Sequence, residues 1–252
     1  MPHALTVQPR GLGAVCGGVV AALALVLGPL ASPASADVFI NSDDPCPVPA
    51  DDAPFTDRDE INDSHVLTAD CAYELGIIEG SPTEDGVEFM AKAPTRRDWM
   101  ASFIVRTLRA GGIDVPEAED QGFSDVDNDN VHQENIQILA AMNVTQGVSE
   151  GTYNPDGTAT RAQMASFLTR AARFAYEGAD GPGFEAQTDA GFSDVSEDSV
   201  HAEAIDAAAQ VVGLTNGIGE GQYGPGRPTS RQEMATFLIR LLDFSYEEIQ
   251  PQ

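Results

Sequence analysis

Three arginines occupy the same position in three similar stretches of this sequence, and their chemistry is the first clue to function. The stretches are RRDWMASFIVRTL (96–108), TRAQMASFLTRA (160–171) and SRQEMATFLIRLL (230–242). In each, apolar residues at i, i+3, i+4 spacing predict a helix with one buried face. Arg97, Arg161 and Arg231 then lie in the first turn of that helix. A planar guanidinium group beside free backbone N–H groups is well suited to binding a carboxylate.

The same arginines have an alternative, purely structural interpretation as ion-pair partners. The chain carries 40 acidic residues, so partners are abundant. Arg161 could pair with Asp125 or Asp127. Arg231 could pair with Asp194, and either pair would tie a loop to a helix. The sequence leaves both interpretations open.

The arginine stretches belong to a longer unit that occurs three times. The units start at Phe55, Phe123 and Phe192, which are 68 and 69 residues apart, and this regularity indicates internal duplication. Each unit contains a segment such as GFSDVDNDNVH, a helical pattern, a loop such as GTYNPDGTATR, and the arginine helix. The first helices are predicted at 64–75, 131–142 and 199–212, and the second helices at 97–110, 161–176 and 231–246. Two helices cannot bury the apolar stripe alone, so the repeats must pack on one another.

The N-terminus has the pattern of a secretory signal peptide over residues 1–36. Arg10 precedes an apolar run, and Ala34-Ser35-Ala36 fits an A-x-A cleavage site, so we expect cleavage between Ala36 and Asp37. A membrane anchor is the alternative, but the run is short for a bilayer span. The expected organisation after cleavage is an extended arm (37–53), a divergent repeat 1 (54–110), repeat 2 (122–177) and repeat 3 (191–248).

The predicted mature chain is strongly acidic. Arg10 is the only charged residue in 1–36, so 12 basic and 40 acidic side chains remain, a net charge of −28. Such a surface disfavours nucleic acid and anionic lipid as partners. Adaptation to a saline habitat and calcium binding at the surface are two explanations of the charge. DVDNDN (125–130) resembles part of a calcium loop, but Ile136 stands where the closing glutamate belongs, and polar helix caps are the preferred interpretation.

Cysteines and histidines yield two further expectations. Cys46 and Cys71 remain after cleavage, and an exported protein with two cysteines favours one disulfide. His65, His132 and His201 occupy the same repeat position, where a local hydrogen bond at a helix start is expected. Convergence of the three histidines on a metal is the alternative.

Catalytic motifs are lacking from the sequence. It contains no G-x-S-x-G elbow and no H-E-x-x-H pair. A pair of glycosidase carboxylates would require a deep cleft, which a small helical array is poorly suited to form. We therefore expect a binding protein without a cofactor, rather than an enzyme.

The recurring motifs resemble those of the S-layer homology domain family. The resemblance rests on F-S-D-V, the following His, G-x-Y-x-P and T-R-A-Q-M-A-x-F-L, and it covers about 54–248. None of the three repeats has the family's T-R-A-E motif intact. Repeat 1 also lacks the G-x-Y-x-P loop, with Phe89 in place of the tyrosine.

This resemblance implies an all-α fold of three tandem helix-loop-helix repeats, in a pseudo-threefold arrangement around a shared helical core. It also implies secretion, a location at the cell wall, and non-covalent binding of cell-wall polysaccharide, often one carrying a pyruvate ketal. Arg97, Arg161 and Arg231 would bind the glycan in grooves between repeats. Tyr153 and Tyr223, in the loops before the arginine helices, are candidates to stack on a sugar. A cell-surface assembly protein that binds other proteins or itself is the alternative.

Overall fold

The computed structural model describes Cys46 and residues 53–177 and 189–249, all within one unit that spans Val38–Gln252. The predicted signal peptide, its cleavage site at Ala36 and Asp37, and most of the arm lie outside the described residues. Within these described residues, six α-helices follow a short 3-10 helix at Arg58–Glu60. They are α1 (Asp63–Glu74), α2 (Arg97–Ala110), α3 (Gln133–Ala141), α4 (Arg161–Glu177), α5 (Ala202–Gln210) and α6 (Arg231–Ile249).

The second helix of every repeat begins at one of the three arginines, as the sequence pattern predicted. Thr160 and Gln163 form a reciprocal capping box at the start of α4. Thr160 N lies 3.1 Å from Gln163 Oε1, and Gln163 N lies 3.3 Å from Thr160 Oγ1. At the start of α6, Ser230 donates through its backbone N–H and its hydroxyl to the Glu233 carboxylate. These caps satisfy polar groups that the first turn of a helix otherwise leaves without partners.

A short antiparallel hairpin in repeat 1 was not predicted. Strand β1 (Ser81–Thr83) pairs with β2 (Gly86–Glu88), with Ser81 opposite Glu88. Repeat 1 has eight residues between Gly80 and Phe89, whereas repeat 2 has five between Gly147 and Tyr153. The hairpin accommodates this longer loop.

The core is built from the second helices. α2, α4 and α6 contact one another, and their apolar stripes are buried. Each first helix packs on a second helix of another repeat: α3 on α2, α5 on α4, and α1 on α6. These contacts favour the predicted pseudo-threefold arrangement of three repeats, which stays a prediction.

The three histidines link the repeats through equivalent hydrogen bonds. His132 Nδ1 lies 2.8 Å from Ser102 Oγ of α2, and His201 Nδ1 lies 2.8 Å from Ser166 Oγ of α4. His65 Nδ1 lies 2.7 Å from Thr236 Oγ1 of α6, across 171 residues of sequence. Each bond therefore joins the start of one repeat to the second helix of another.

The loops before the second helices form a closed set of backbone hydrogen bonds. Thr95 N–H donates to Thr229 O at 2.8 Å, and Ala159 N–H donates to Thr95 O at 3.2 Å. Thr229 N–H donates to Ala159 O at 3.2 Å and completes the ring. All three residues are fully buried, so this ring holds the second-helix N-termini in fixed positions around one point.

Cys46 and Cys71 are joined by a disulfide, with a Cα–Cα distance of 5.5 Å. The bond attaches Cys46 to α1. No helix among the described residues has both the length and the apolar character that a membrane span requires.

Candidate functional site

All three candidate arginines are buried, with exposed fractions of 2–3%. In each, Nε donates to the backbone carbonyl of an aromatic residue from a neighbouring repeat. Arg97 bonds Tyr153 O at 2.9 Å, and Arg161 bonds Tyr223 O at 2.9 Å. Arg231 bonds Phe89 O at 2.7 Å. One edge of each guanidinium group is therefore committed to the fold.

The two candidate tyrosines lie against these arginines. The Arg97 guanidinium lies 4.7 Å from the Tyr153 ring centroid, and that of Arg161 lies 4.8 Å from the Tyr223 centroid. The tyrosine hydroxyls donate to Arg97 O at 2.7 Å and Arg161 O at 2.8 Å. Burial raises the pKa of Tyr223 to about 12 and raises that of Tyr153 as well. Both rings are buried, so in this conformation they position the arginines and present little face to a sugar.

The aspartates in the F-S-D-V segments of repeats 2 and 3 hold the loops that carry Tyr153 and Tyr223. The Asp125 carboxylate accepts the N–H groups of Tyr153 and Asn154 at 2.8 and 2.7 Å. Asp194 accepts those of Tyr223 and Gly224 at 2.7 and 2.8 Å. Desolvation opposes ionisation, but these N–H donors lower the pKa of Asp194. Two of the aspartates suggested as arginine partners, Asp125 and Asp194, therefore fix the loops by backbone hydrogen bonds.

Arg231 differs from the other two arginines because three aromatic rings surround it. Its guanidinium carbon lies 4.8 Å from the Trp99 centroid, 5.5 Å from that of Phe103 and 5.6 Å from that of Phe89. Burial lowers the pKa of Arg231 to about 10. All three rings lie within the distance of a cation–π contact, and only 3% of Arg231 is exposed.

Arg161 lies instead at the wall of an open cleft with a volume of about 420 Å³. The charged residues that line this cleft, as far as the structure describes it, are Arg161, Arg227, Arg240 and Glu233. Thr215, from the loop after α5, supplies a hydroxyl. Ser64 and His65 of α1 line it as well, so all three repeats contribute. We call this the Arg161 cleft.

Within the Arg161 cleft, two of the three guanidinium groups share one carboxylate. Glu233 Oε1 lies 3.4 Å from Arg161 Nη1 and also forms an ion pair with Arg227. Arg161 Nη2 donates to Thr215 Oγ1 at 3.3 Å, and Arg240 Nη1 donates to Leu214 O at 2.8 Å. Burial opposes ionisation of Glu233, but its bonds from Ser230 and the charges of Arg227 and Arg161 lower its pKa. The lining therefore carries a net positive charge of two.

Sequence reasoning missed Arg227, Arg240 and Glu233 as members of this site. A signal existed for Arg240, because an arginine recurs nine residues after each candidate arginine, at Arg106, Arg170 and Arg240. Arg227 has no such signal, since Ala93 and Gly157 stand at the equivalent positions.

The equivalent surroundings of Arg97 contain fewer charges. Gln163 stands where repeat 3 has Glu233, and Gly157 stands where it has Arg227. Arg97 Nη2 is buried without a hydrogen-bond partner, whereas the corresponding atom of Arg161 bonds Thr215. The two positions are therefore related but not equivalent.

The DVDNDN segment makes polar contacts around the start of α3. Asn130 Oδ1 accepts His132 N–H at 2.8 Å, and Asn128 Oδ1 accepts from Gln133 at 3.0 Å. No cluster of three or more His, Cys, Asp or Glu side chains able to hold a metal ion occurs in the described part of the chain.

Comparison with known proteins identifies the domain family of two segments of the chain. Residues 122–165 and 191–235 match the S-layer homology domain. Over 159 residues, 63% of this chain, it is 29% identical to a surface-layer 125 kDa protein of Lysinibacillus sphaericus. Over 122 residues, 48% of the chain, it is 30% identical to a cell surface protein of Thermoanaerobacter kivui. Over 128 residues, 50% of the chain, it is 28% identical to exoglucanase XynX of Acetivibrio thermocellus.

Two segments of the chain are therefore S-layer homology domains, as their motifs predicted, and the protein is a secreted protein of the cell surface. The matched segments coincide with repeats 2 and 3 and include Arg161 and Arg231. Repeat 1 lies outside both matched segments. The alignments cover only 12%, 15% and 11% of these three relatives.

Proposed function

We propose that this protein attaches to the bacterial cell wall by binding an acidic wall polysaccharide in the Arg161 cleft. Membership of a family of cell-surface binding modules supports attachment to the wall. The observation that carries the finer proposal is the cleft itself. It gathers three arginines around about 420 Å³ in a chain whose predicted mature form has a net charge of −28.

The cleft has the size and chemistry for an acidic sugar. Its volume falls in the range of small-molecule sites, which is about 300–1,000 Å³. Arginine binds a carboxylate through two parallel hydrogen bonds, and Arg227 is half-exposed and can turn towards a ligand. A sugar carrying a pyruvate ketal presents such a carboxylate next to hydroxyls that Thr215 can bind. We propose this class of glycan as the ligand.

The five candidate residues then have different roles. Arg161 contacts the ligand. Tyr223 stacks beneath the Arg161 guanidinium group and fixes the orientation of that side chain. Arg97 and Tyr153 form the corresponding pair between repeats 1 and 2, and we propose them as a second, weaker groove. Arg231 lies inside its aromatic cage and is proposed as a packing residue. The protein acts in this account as a binding module without catalysis.

Co-sedimentation with purified cell walls tests the proposal. Arg240→Ala and Arg227→Ala should each weaken binding about tenfold, because each removes one charge-assisted contact. Arg109→Ala is the matched control: it removes the same charge from a surface arginine that pairs with Glu134 at 3.6 Å. The control should bind within about twofold of the wild type, since exposed ion pairs contribute little.

Walls stripped of their secondary polysaccharide provide the second arm. Wild-type protein should bind intact walls and fail to bind stripped walls. Undiminished binding to stripped walls would contradict the proposal and favour a protein partner at the surface. An equal loss of wall binding in Arg240→Ala and Arg109→Ala would show that net charge alone matters. That result would also contradict the proposal.

A further inference from the structure

We propose that His65, from repeat 1, contacts the ligand in the Arg161 cleft and makes glycan binding stronger as pH falls. This inference rests on the proposed function. His65 lies on α1, which packs against α6, and it lines the cleft together with Ser64. The most divergent repeat thereby completes a site whose charged residues come from repeats 2 and 3.

The hydrogen-bond network assigns the tautomer of His65. Thr68 Oγ1 donates its single proton to His65 O at 3.0 Å. Thr68 Oγ1 and Thr236 Oγ1 lie 2.8 Å apart, and with the Thr68 proton on His65 O it is Thr236 that donates to Thr68. In this arrangement Thr236 has no proton left, and His65 Nδ1–H donates across the 2.7 Å contact to Thr236 Oγ1. Should Thr236 donate instead to Gln232 O at 3.3 Å, the assignment of His65 is the same.

Nε2 is therefore the atom of His65 that is left for a ligand. It has no protein partner among the described residues. In the neutral ring Nε2 is an acceptor and can bind a sugar hydroxyl. In the protonated ring Nε2–H becomes a cationic donor, which suits a carboxylate. Protonation thus changes the cleft from three cationic groups to four.

The charged groups around His65 set the direction of the effect. Glu233 and Arg240 face it from α6, Arg161 lines the cleft from α4, and Arg227 comes from the loop before α6. On its own helix, the nearest charge in sequence is Asp63. Burial lowers the pKa of His65, Glu233 opposes this, and Arg240 adds to it. A carboxylate bound in the cleft raises that pKa, and by linkage the protonated form binds the carboxylate more tightly.

Calorimetric titration with a defined probe tests the inference. The probe is a methyl hexoside carrying a 4,6-O-(1-carboxyethylidene) ketal, with the same hexoside without the ketal as control. The ketal carboxylate stays ionised from pH 8.0 to pH 5.5. Wild-type affinity should rise about tenfold over this range, as expected for one added charge-assisted hydrogen bond. The variant His65→Asn should show less than about a twofold change, because asparagine keeps a donor for Thr236 but lacks the titrating Nε2.

His132→Asn is the matched control, because His132 makes the equivalent bond to Ser102 but does not line the Arg161 cleft. It should retain the full pH dependence. Equal loss of the pH dependence in both variants, or a pH dependence that is retained in His65→Asn, would overturn the inference and leave the proposed function intact. Failure of wild-type protein to bind the probe at any pH would contradict the proposed function and the inference together.

An NMR titration of the wild-type histidine rings provides a readout that needs no variant. Addition of the ketal probe should raise the pKa of His65 and leave that of His132 unchanged. An unchanged pKa of His65 in the presence of bound probe would overturn the inference.

Discussion

At the scale of single residues, one position in the second helix distinguishes the surroundings of three equivalent arginines. Two residues after the candidate arginine, repeat 3 has Glu233, repeat 2 has Gln163 and repeat 1 has Trp99. Glu233 forms ion pairs with Arg161 and Arg227, whereas Trp99 packs against Arg231. Arg231 consequently packs in an aromatic cage, while Arg161 lies at an open cleft.

The variant Glu233→Gln should increase the affinity for an acidic glycan. The carboxylate of Glu233 competes with a ligand carboxylate for Arg161 and Arg227, so its loss should strengthen binding about fivefold. The free energy of unfolding should fall by about 1 kcal/mol, because the ion pairs are lost while the cap is kept. Gln163 shows that glutamine can make this cap. Isothermal titration and urea unfolding measure the two effects, and weaker binding in the variant would assign Glu233 to the ligand contacts.

The sequence predicted part of the candidate site at this scale. Arg161 and Tyr223 stand in repeated motifs, and the structure brings them into contact. Their burial was not predicted, because the stacking of a guanidinium on a ring and its bond to a distant carbonyl leave no periodic signal. Arg227 and Glu233 were missed for a related reason: each is specific to repeat 3, and only the fold brings them to Arg161.

At the scale of elements, the repeats are held together because the first helix of each repeat packs on the second helix of another repeat. α1 packs on α6, α3 on α2 and α5 on α4, and one histidine bonds across each pair. These imidazoles lie at interfaces where a positive charge is poorly solvated. Burial lowers the pKa of all three, and it is the largest influence in each case.

Stability should therefore fall as the solution becomes acidic. A histidine with a lowered pKa in the folded state binds fewer protons there than in the unfolded state, so unfolding is favoured as pH falls through about 6.5. Between pH 7.5 and pH 5.5 we expect the melting temperature to fall by about 3 °C. Circular dichroism melts of the wild type and of a variant with Asn at 65, 132 and 201 measure this. An equal fall in the triple variant would assign the effect to other groups.

Secondary structure was the most predictable feature of the fold. The starts of α4 and α6 agree with their capping residues and apolar stripes, and the start of α2 with its stripe alone, and these are local signals. Two of the first helices are shorter than predicted, whereas α1 matches its predicted length to within one residue at each end. α3 begins at Gln133 and α5 at Ala202, because polar turns precede them. The hairpin of repeat 1 and the contact of α1 with α6 depend on loop length and on pairing across most of the chain, which a local pattern does not specify.

At the scale of the whole molecule, a positive cleft lies in a very acidic protein. The predicted mature chain has a net charge of −28, so its like charges repel one another in the compact state. The Arg161 cleft has three guanidinium groups and one carboxylate. Salt screens the repulsion among the carboxylates and also the attraction between the cleft and an acidic ligand. Screening therefore favours folding and opposes binding.

Added salt should stabilise the protein and weaken its binding to an acidic glycan. Raising NaCl from 0.05 M to 1 M should increase the melting temperature by about 5 °C, because repulsion between carboxylates is screened. Over the same range the affinity for the ketal-bearing hexoside should fall about tenfold. Calorimetry provides both quantities, and the neutral hexoside is the control for non-electrostatic effects of salt. Affinity that rises with salt would contradict an electrostatic anchor.

The most direct test of the central claim is a crystal structure of the mature chain with the ketal-bearing hexoside. We expect the sugar in the Arg161 cleft, with its carboxylate within hydrogen-bond distance of at least two of Arg161, Arg227 and Arg240. We expect Tyr223 to stay beneath Arg161 and Arg231 to remain in its aromatic cage. A sugar bound at another surface, or one in the cleft whose carboxylate contacts none of these arginines, would contradict the account.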